Sequence, residues 1–426
     1  MFTEANMIVL KVTRDCNFRC KYCYLVDKDQ HRGERIKLDV FKRIIDRAIE
    51  DKKKSNNKKK LNIVLHGGEP LLLNNNTLSS MLRYMADAFV QNNIDFGIGL
   101  QTNMSLLNEE KAIILSDYNV NVGVSFDGIK TSNLMRTTIS NDIFEKKFEL
   151  LQKYNINFGV LIVVTKQNLP YAYKSAKYIT KKYDIPSVKV NYAEDVTSVG
   201  DIEVNGKDFF EQALKPFIDD YIKTGISIEA NMFRIINIFL AHTLTYCHPS
   251  KTNCGGVICG AGSQILATDP TGNVYFCGRY SRDYEDAYIG NIFEKDFADL
   301  HRFKRHLDFA LKKHKIVMKH NCDICPARYI CDHGCMAFHF SKFEEWGIRT
   351  DLVCPIYKSL HSYMIQNKEK IFKAFINNHM KNGNKFNYNL NSRIIKIKPE
   401  YQYFKIGDKQ YIISVKNSHT ITVEEK

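Results

Sequence analysis

The chain has little glycine and proline, with 22 and 9 among its 426 residues, which excludes collagen-like and low-complexity disordered proteins. No apolar run reaches the roughly 18 residues that a membrane span needs; the longest are residues 158–164 and 235–240. The amino-terminal residues show no basic stretch with a small-residue cleavage site. We therefore expect a globular protein of two or three domains that stays in the cytoplasm and does not contact a membrane.

The charge balance is basic, with 61 Lys and Arg against 47 Asp and Glu, a formal net charge of +14. Part of the excess is local, since six lysines surround residues 55–57 between Lys52 and Lys60. Such a cluster is either a solvated turn or a field that attracts an acidic peptide, an acidic electron carrier or nucleic acid. Aromatic and basic residues do not alternate as in RNA-binding sheets, so nucleic acid is the minor hypothesis.

The first half alternates β-branched runs with amphipathic helical stretches. Six runs are typical of strands, at residues 7–13, 62–66, 96–101, 120–126, 158–165 and 188–192. The first helical stretch carries one apolar stripe at spacings of three and four, formed by Phe41, Ile44, Ile45, Ala48 and Ile49. This alternation predicts an α/β fold of parallel βαβ units with functional residues at the carboxyl ends of the strands. Six units predict a partial, open (β/α)6 TIM-like barrel.

The second half has a different character. Helical stretches at residues 209–223 and 231–246 precede a segment rich in cysteine and glycine, in which Asp269-Pro270-Thr271-Gly272 predicts the turn of a hairpin. This segment has little hydrophobic periodicity and is expected to need metal to fold. A helix at about 356–381 leads to an alternating tail at 387–423 that turns at Gly407-Asp408. We predict four units: the barrel at 1–195, a helical bridge at 196–246, a cysteine-rich domain at 247–360, and a helix with a β-rich tail at 361–426.

The strongest functional signal is Cys16-Asn17-Phe18-Arg19-Cys20-Lys21-Tyr22-Cys23, directly after the first predicted strand. In a reducing cytoplasm, clustered cysteines are more often metal ligands or catalytic groups than disulfides. A cubane iron–sulfur cluster normally takes four thiolates, so a loop with three cysteines leaves one iron open for a small molecule. The alternative is a zinc loop completed by His31 or a remote ligand.

This cysteine spacing, with an aromatic residue before the last cysteine, resembles that of the radical S-adenosylmethionine (SAM) superfamily. His66-Gly67-Gly68-Glu69-Pro70 resembles its SAM-binding turn, in which glycines let the backbone approach a ligand and Glu69 can accept from an ammonium. Gln101-Thr102-Asn103 and Ser125-Phe126-Asp127-Gly128 resemble its polar strand ends, and Arg136 resembles the residue that pairs with the SAM carboxylate. The resemblance implies a SAM cluster on Cys16, Cys20 and Cys23, with SAM bound by Tyr22, Gly67, Gly68, Glu69, Ser125, Asp127 and Arg136.

A second cysteine constellation resembles the SPASM domain of peptide-modifying radical SAM enzymes. It runs Cys322-x2-Cys325-x5-Cys331-x3-Cys335, with Cys354 after it and Cys259 and Cys277 before it. A zinc ribbon would explain residues 322–335 but would leave the other three idle. The resemblance implies two auxiliary cubanes, one on Cys254, Cys259, Cys277 and Cys335, the other on Cys322, Cys325, Cys331 and Cys354. Cys247 is then left over, as a replacement for Cys254, a buried free thiol or part of a cluster with an open site.

The resemblance implies an enzyme whose cofactors are SAM and three [4Fe-4S] clusters. A low-potential donor such as flavodoxin or ferredoxin would supply the electron that cleaves SAM, and a 5′-deoxyadenosyl radical would take a hydrogen atom from the substrate. We expect a ribosomal peptide or protein substrate and a thioether, ether or carbon–carbon crosslink. The tail from residue 387 is either a docking edge for that peptide or a small β-cap.

Three other functions remain open. Sulfatase maturation to formylglycine is the first, but in that branch a carboxylate follows the Cys277 equivalent directly, whereas here Gly278 follows and Asp283 is out of register. A non-catalytic zinc scaffold would bind zinc and ignore SAM. An RNA-modifying radical enzyme would share the first domain and would need a continuous basic stripe.

Overall fold

The structure is a computed structural model, and it describes most of the chain. The described residues are 5–25, 33–55, 58–129, 131–194, 202–244, 260–262, 264–280, 287–294, 300–331, 333–337, 347, 349–382, 386–387, 403–406, 409–417 and 420–425.

Six parallel strands form one sheet in chain order, which confirms the predicted barrel strands. They are β1 (Met7–Thr13), β2 (Leu61–Gly67), β3 (Phe96–Thr102), β4 (Asn121–Ser125), β5 (Phe158–Val164) and β6 (Val188–Tyr192). Neighbouring strands pair without skipping, so that β6 and β1 lie at opposite ends of this parallel array. All six carboxyl ends therefore meet along one edge.

Five helices connect these strands: α1 (Leu38–Ser55), α2 (Asn75–Gln91), α3 (Glu109–Asp117), α4 (Asn141–Lys153) and α5 (Ala172–Tyr183). Because each crossover is right-handed and leads to the next strand along, the helices lie on one face of the sheet. The predicted apolar stripe of α1, from Phe41 to Ile49, is buried. Along β2, buried and half-buried residues alternate strictly, so one face belongs to the core and the other is open.

The predicted hairpin is present, and it extends the barrel sheet. Strands β7 (Ile265–Thr268), β8 (Asn273–Tyr275) and β9 (Tyr288–Asn291) follow β1 in a nine-stranded sheet. β7 pairs in parallel with β1 from Met7–Ile265 to Leu10–Thr268, while β8 and β9 are antiparallel. The cysteine-rich segment is thus joined to the barrel by a backbone ladder, which the sequence pattern did not predict.

A buried ion pair fixes the turn of this hairpin. Asp269 is fully buried, and its Oδ1 accepts from the backbone N–H groups of Thr271 and Asn273 at 2.9 and 3.1 Å. Its Oδ2 lies 3.7 Å from Nη2 of Arg14, which is also buried and two residues before Cys16. The start of the cysteine loop and the hairpin turn are therefore held together by opposite charges.

The predicted helical bridge and the carboxy-terminal helices pack on each other. The described helices here are α6 (Gly206–Phe209), a π-helical segment (Phe210–Leu214), α7 (Lys215–Thr224), α8 (Ala230–Leu244), α9 (Leu300–Lys319), α10 (Thr350–Gln366) and α11 (Lys368–Asn382). A Cβ on Gly206 would lie 2.3 Å from the carbonyl oxygen of Leu352, so α6 and α10 are in backbone contact. The single helix predicted at 356–381 is two helices that break at Asn367.

The domain boundaries stay predictions, and the one between residues 360 and 361 falls inside α10. The predicted β-rich tail is confirmed as an antiparallel sheet in the order β10 (Phe386–Asn387), β13 (Thr420–Glu425), β12 (Lys409–Asn417) and β11 (Tyr403–Ile406). The predicted turn residues Gly407 and Asp408 lie outside the described residues. Within the described part of the chain, none of the helices has the length and apolar character of a membrane span.

The lysine cluster is not one solvated loop. Lys52, Lys53 and Lys54 form the last turn of α1, and Lys52 is buried, with its Nζ donating to the Lys59 carbonyl oxygen at 2.8 Å. Burial and the neighbouring Lys59 lower the pKa of Lys52. The solvated-turn interpretation is therefore wrong for Lys52, which closes the end of α1 onto the segment before β2.

We predict that Asp269→Ala lowers the free energy of unfolding by about 2 kcal/mol, because it removes the acceptor of the turn and one of the two carboxylates beside the buried Arg14 guanidinium, leaving Glu34. Urea denaturation followed by circular dichroism measures the change. Asp117→Ala, at an exposed position of α3, is the matched control and should change stability by less than about 0.5 kcal/mol. Equal effects of the two substitutions would contradict the anchoring role of Asp269.

Candidate functional site

The cysteine loop begins where β1 ends, and it is tied to the barrel at several points. Cys16, Cys20 and Cys23 are half-buried, and the backbone N–H of Cys23 donates to the Cys20 carbonyl in a tight turn. The N–H of Lys21 donates to the Met135 carbonyl at 2.8 Å. Phe18 is buried and packs edge-on against another core ring. These contacts hold the three thiols over the carboxyl edge of the parallel strands.

Cys16 and Cys20 are protonated thiols, and a metal would have to displace their protons in order to bind. Burial raises the pKa of Cys16, and it raises the pKa of Cys20 to about 12 although Arg136 opposes the shift. The nine cysteines that the structure describes form no disulfides, and as placed here no three His, Cys, Asp or Glu among the described residues already form a metal site. His31 lies outside the described residues. Three soft donors on one loop fit a cubane with one open iron.

Gly67 and Gly68 let the end of β2 touch the root of the cysteine loop. The Gly68 N–H donates to the Thr13 carbonyl at 2.8 Å, and the Glu69 N–H donates to the Asp15 carbonyl at 2.7 Å. A Cβ on Gly67 would lie 2.1 Å from the Thr13 oxygen, and one on Gly68 would lie 1.9 Å from the Asp15 oxygen. The close backbone approach predicted for these glycines is therefore made to the chain itself, at Thr13 and Asp15. Their contact with SAM stays a prediction.

The Glu69 carboxylate links β2 to β3. It is buried, and it accepts from Thr102 Oγ1 at 2.6 Å, the Asn103 N–H at 2.7 Å and the Leu71 N–H at 3.0 Å. Burial raises the pKa of Glu69, and these hydrogen bonds oppose the shift. The predicted role of Glu69 as acceptor for an ammonium would thus be added to a structural role that the contacts establish.

The ends of β3 and β4 complete the same edge. Asn103 Nδ2 donates to Asn17 Oδ1 at 2.9 Å and lies 3.9 Å from Cys16 Sγ, so the third strand reaches the cysteine loop. Gln101 Nε2 donates to Ser125 Oγ at 2.8 Å, and Gly123 leaves the space that the Gln101 amide fills. Ser125, one of the predicted SAM ligands, therefore lies at this edge, in a network of polar side chains at the strand ends.

Tyr22, Asp127 and Arg136 form one buried polar network. The Tyr22 hydroxyl donates to Asp127 Oδ2 and accepts from Arg136 Nη1 at 2.8 Å, while that Nη1 lies 4.0 Å from Asp127 Oδ1. The Val163 N–H also donates to Asp127, at 3.0 Å. Burial raises the pKa of Asp127, and Arg136 opposes the shift; burial lowers the pKa of Arg136, but Tyr22 and Asp127 raise it more. Three predicted SAM ligands are thus brought together around the cysteine loop.

The sequence places Asn103 among the predicted polar strand ends but not among the predicted SAM ligands, and it predicts no role for Glu194. Both follow a barrel strand within two residues and both are buried, with Glu194 beyond β6. Their position after a strand is the signal that was applied to Ser125 and Asp127 and could have been applied here. The bond from Val163 to Asp127 uses a backbone group and has no sequence signal.

The auxiliary cysteines are brought together in part. Burial raises the pKa of Cys322, and Cys354 and Cys325 raise it further, so these three thiols lie within electrostatic reach of one another. Cys331 Sγ accepts from the His333 N–H at 3.3 Å, and Cys335 is half-buried. Cys247, Cys254 and Cys259 lie outside the described residues. The assignment of the two auxiliary ligand sets stays a prediction.

The segment after Cys277 packs against the barrel and the cysteine loop. A Cβ on Gly278 would lie 2.9 Å from a Val9 methyl group, and the Arg279 guanidinium lies 5.4 Å from the centre of the Tyr24 ring. Lys11 Nζ donates to the Tyr280 carbonyl at 2.9 Å inside the fold. A side chain at position 278 would thus require Val9 to shift, and Asp283 lies outside the described residues.

His66 stands beside this segment as a neutral imidazole. It is the register partner of Lys11 in the β1–β2 pair, and its Nδ1 accepts from the Gly67 N–H at 2.8 Å. Burial, Lys11 and Arg279 lower the pKa of His66 to about 4. The half-exposed sheet face next to the turn therefore has a basic rather than an acidic character.

Comparison with known families agrees with this architecture. The Radical SAM superfamily matches residues 10–179, and the SPASM iron-sulfur cluster-binding domain matches residues 259–326. The first match contains the cysteine loop, the Gly67-Gly68 turn and Arg136, and the second begins at Cys259 and contains Cys277, Cys322 and Cys325. The chain belongs to the radical SAM superfamily and carries a SPASM domain. It is therefore an enzyme that uses SAM and iron–sulfur clusters.

Three relatives show the breadth of this similarity. The chain is 25% identical over 370 residues to the cysteine-type anaerobic sulfatase-maturating enzyme of Clostridium novyi, which covers 83% of this chain and 93% of that one. Its fold matches native anSMEcpe with bound AdoMet and Cp18Cys peptide, at a TM-score of 0.67 and 21% identity over 86% and 98% of the chains. It also matches Streptococcus suis SuiB bound to precursor peptide SuiA, at a TM-score of 0.55 and 16% identity over 82% and 76%.

We predict that Gly68→Ala destabilises the protein by at least about 2 kcal/mol, because the new Cβ would overlap a backbone oxygen that cannot move aside without breaking the β1–β2 contact. Chemical denaturation of the metal-free chain measures this without cluster chemistry. Gly159→Ala is the matched control, since a Cβ on Gly159 meets nothing within 4 Å. A Gly68→Ala variant as stable as the control would rule out the tight loop contact.

Proposed function

We propose that this enzyme is a peptide maturase that forms a thioether, ether or carbon–carbon crosslink in a ribosomally made peptide. The observation that carries the proposal is the meeting of two cysteine-bearing segments: the loop of Cys16, Cys20 and Cys23 and the segment after Cys277, joined through Tyr24 and Arg279. An enzyme that removes a hydrogen atom from its substrate and then takes up an electron needs one redox group for each step, and the two segments can each hold one. The peptides bound in the anSMEcpe and SuiB structures belong to those proteins and support a peptide substrate here.

The proposed cofactors are SAM and three [4Fe-4S] clusters, one on Cys16, Cys20 and Cys23 and two on the SPASM cysteines. When bound and reduced by a flavodoxin or ferredoxin, the first cluster would supply the electron that cleaves SAM to methionine and a 5′-deoxyadenosyl radical. The peptide would lose one hydrogen atom to 5′-deoxyadenosine, one proton, and one electron to the auxiliary cysteine region. We also infer that the enzyme works in the reducing cytoplasm, where clustered cysteines are more often metal ligands than disulfides.

The chain's own residues would position SAM at the carboxyl edge. Arg136 carries the charge that a carboxylate needs, and Asp127 and Tyr22 hold its guanidinium in place. The Glu69 turn would meet the methionyl amino group, and Ser125 would face the cofactor from β4. The half-exposed face of the sheet would receive the peptide. Holding the reacting carbon near the radical is the protein's main catalytic contribution.

Formylglycine formation is the second candidate, favoured by the similarity to the sulfatase-maturating enzyme of Clostridium novyi. Against it stands the environment of position 278, where glycine packs on Val9 and the next side chain is the cation of Arg279. The carboxylate base expected directly after the Cys277 equivalent is replaced by these two residues. We therefore prefer crosslinking.

We predict about twelve irons per chain after anaerobic reconstitution, as three cubanes require. Replacing Cys16, Cys20 and Cys23 by Ala should leave about eight irons and abolish 5′-deoxyadenosine release. Replacing Cys322 and Cys325 by Ala should also reduce the iron content but preserve SAM cleavage by dithionite-reduced enzyme. Stoichiometric zinc with no response to SAM would instead support the scaffold hypothesis.

We expect a peptide encoded next to this gene to lose two hydrogens on anaerobic incubation with enzyme, SAM and reductant, with its sulfur retained. High-resolution mass spectrometry measures the change, and fragmentation locates the new bond. A sulfatase-derived cysteine peptide is the parallel substrate, since formylglycine replaces sulfur by oxygen. Exchange of sulfur in that peptide, without crosslinking of the neighbouring one, would overturn the preference for crosslinking.

A further inference from the structure

One face of α9 presents an apolar stripe to solvent. Leu307, Leu311 and Met318 are between 44% and 48% exposed, and their spacing, with exposed His314 between them, places them on one side of the helix. On the opposite side Ile316 packs against the core. A helix normally buries its apolar side and exposes its polar one, so this stripe is typical of a surface that receives a partner.

The stripe is framed by positive charge. The helix contains seven Lys and Arg and one Asp. Lys315 and Lys319 are exposed and lie four residues apart beside the stripe, so that they can reach the same partner. A second copy of this chain is a poor occupant, because the net charge of +14 would set two basic surfaces against each other. Charge complementarity instead favours an acidic partner.

The stripe ends at cysteines of the SPASM constellation. The helix is closed by Asn321 in the left-handed conformation, and the Cys322 N–H donates to the Val317 carbonyl at 3.1 Å. Met318 and Cys322 are therefore joined by the capping turn of the helix, four residues apart in the sequence. Ile324, between Cys322 and Cys325, is 77% exposed and extends the apolar surface over this loop. A partner seated on α9 would thus lie directly against Cys322 and Cys325.

We propose that the apolar stripe of α9, with Lys315, Lys319 and Ile324, is the docking surface for a small acidic electron-transfer protein. The proposal deepens the proposed function and rests on it: in each turnover the reduced carrier would give up one electron at the Cys322–Cys325 region, and the enzyme would use that electron to cleave SAM. Electron transfer rates fall steeply with distance, so a carrier gains most from a surface that continues into a cysteine loop. A leader peptide of the substrate would gain nothing from this position.

The test measures binding of an acidic flavodoxin to the anaerobically reconstituted holoenzyme, by anisotropy of the labelled flavodoxin at low ionic strength. We expect the paired substitutions Lys315→Glu and Lys319→Glu to weaken binding at least about tenfold. Lys146→Glu with Lys174→Glu, on exposed positions of α4 and α5, changes the net charge equally and should change the Kd less than about twofold. Equal weakening by both pairs would mean attraction to net charge alone and would overturn the proposal.

A second pair tests the apolar part of the surface. Leu311→Ala with Met318→Ala should weaken flavodoxin binding about fivefold, whereas Val90→Ala with Ile143→Ala, also at exposed positions, should not. Loss of peptide binding instead of flavodoxin binding would assign the surface to the substrate. Loss of self-association in analytical ultracentrifugation would assign it to a second copy. Either result overturns the proposal.

Dithionite separates this proposal from the proposed function. The α9 variants should release 5′-deoxyadenosine at the wild-type rate with dithionite and more slowly with reduced flavodoxin. Wild-type enzyme that turns over with dithionite but shows no flavodoxin contact at α9 would disprove the docking surface alone. Enzyme that binds flavodoxin through α9 but modifies no peptide would disprove the proposed function alone.

Discussion

The site depends on the backbone contact between the end of β2 and the root of the cysteine loop. Two hydrogen bonds, from Gly68 to Thr13 and from Glu69 to Asp15, join the loops at a distance that leaves no room for a Cβ on Gly67 or Gly68. Further hydrogen bonds extend this contact along the carboxyl edge. The Glu69 carboxylate accepts from the Asn103 N–H after β3, and the Asn103 side chain donates to Asn17 in the cysteine loop. Glycine is required here by packing within the protein, so ligand contact alone does not explain the motif.

The buried charges are arranged so that the loop is rigid before any cofactor binds. Asp127 and Arg136 would each be costly to bury alone, but they share the Tyr22 hydroxyl and face each other. Because Tyr22 lies between Cys20 and Cys23, this network ties the thiol-bearing loop to the segment that follows β4. A carboxylate that approached Arg136 would meet an oriented donor and would need little rearrangement.

The sequence predicts those features of the fold and the site that depend on residues close together in the chain. The alternation of apolar residues predicted all six barrel strands and the α1 stripe, and the cysteine spacing predicted which superfamily the chain joins. Long-range pairing has no such signature: β7 joins β1 across more than 250 residues, and the Val163 N–H that holds Asp127 is an ordinary backbone group. The charged neighbours of Lys52 predict either a solvated turn or a field that attracts anions, yet its ammonium donates to the Lys59 carbonyl inside the fold.

The continuity of the sheet changes how the two halves of the enzyme are coupled. A cysteine-rich domain attached by a linker would place its thiols at variable distances from the first cysteine loop. Here the ladder from β1 to β7 and β8, together with the Arg14–Asp269 pair, fixes the strand that leads into Cys277. Cys277 and Cys16 are therefore parts of one hydrogen-bonded framework. Because electron transfer depends steeply on distance, a framework of this kind is a physical reason for building the auxiliary segment onto the barrel sheet.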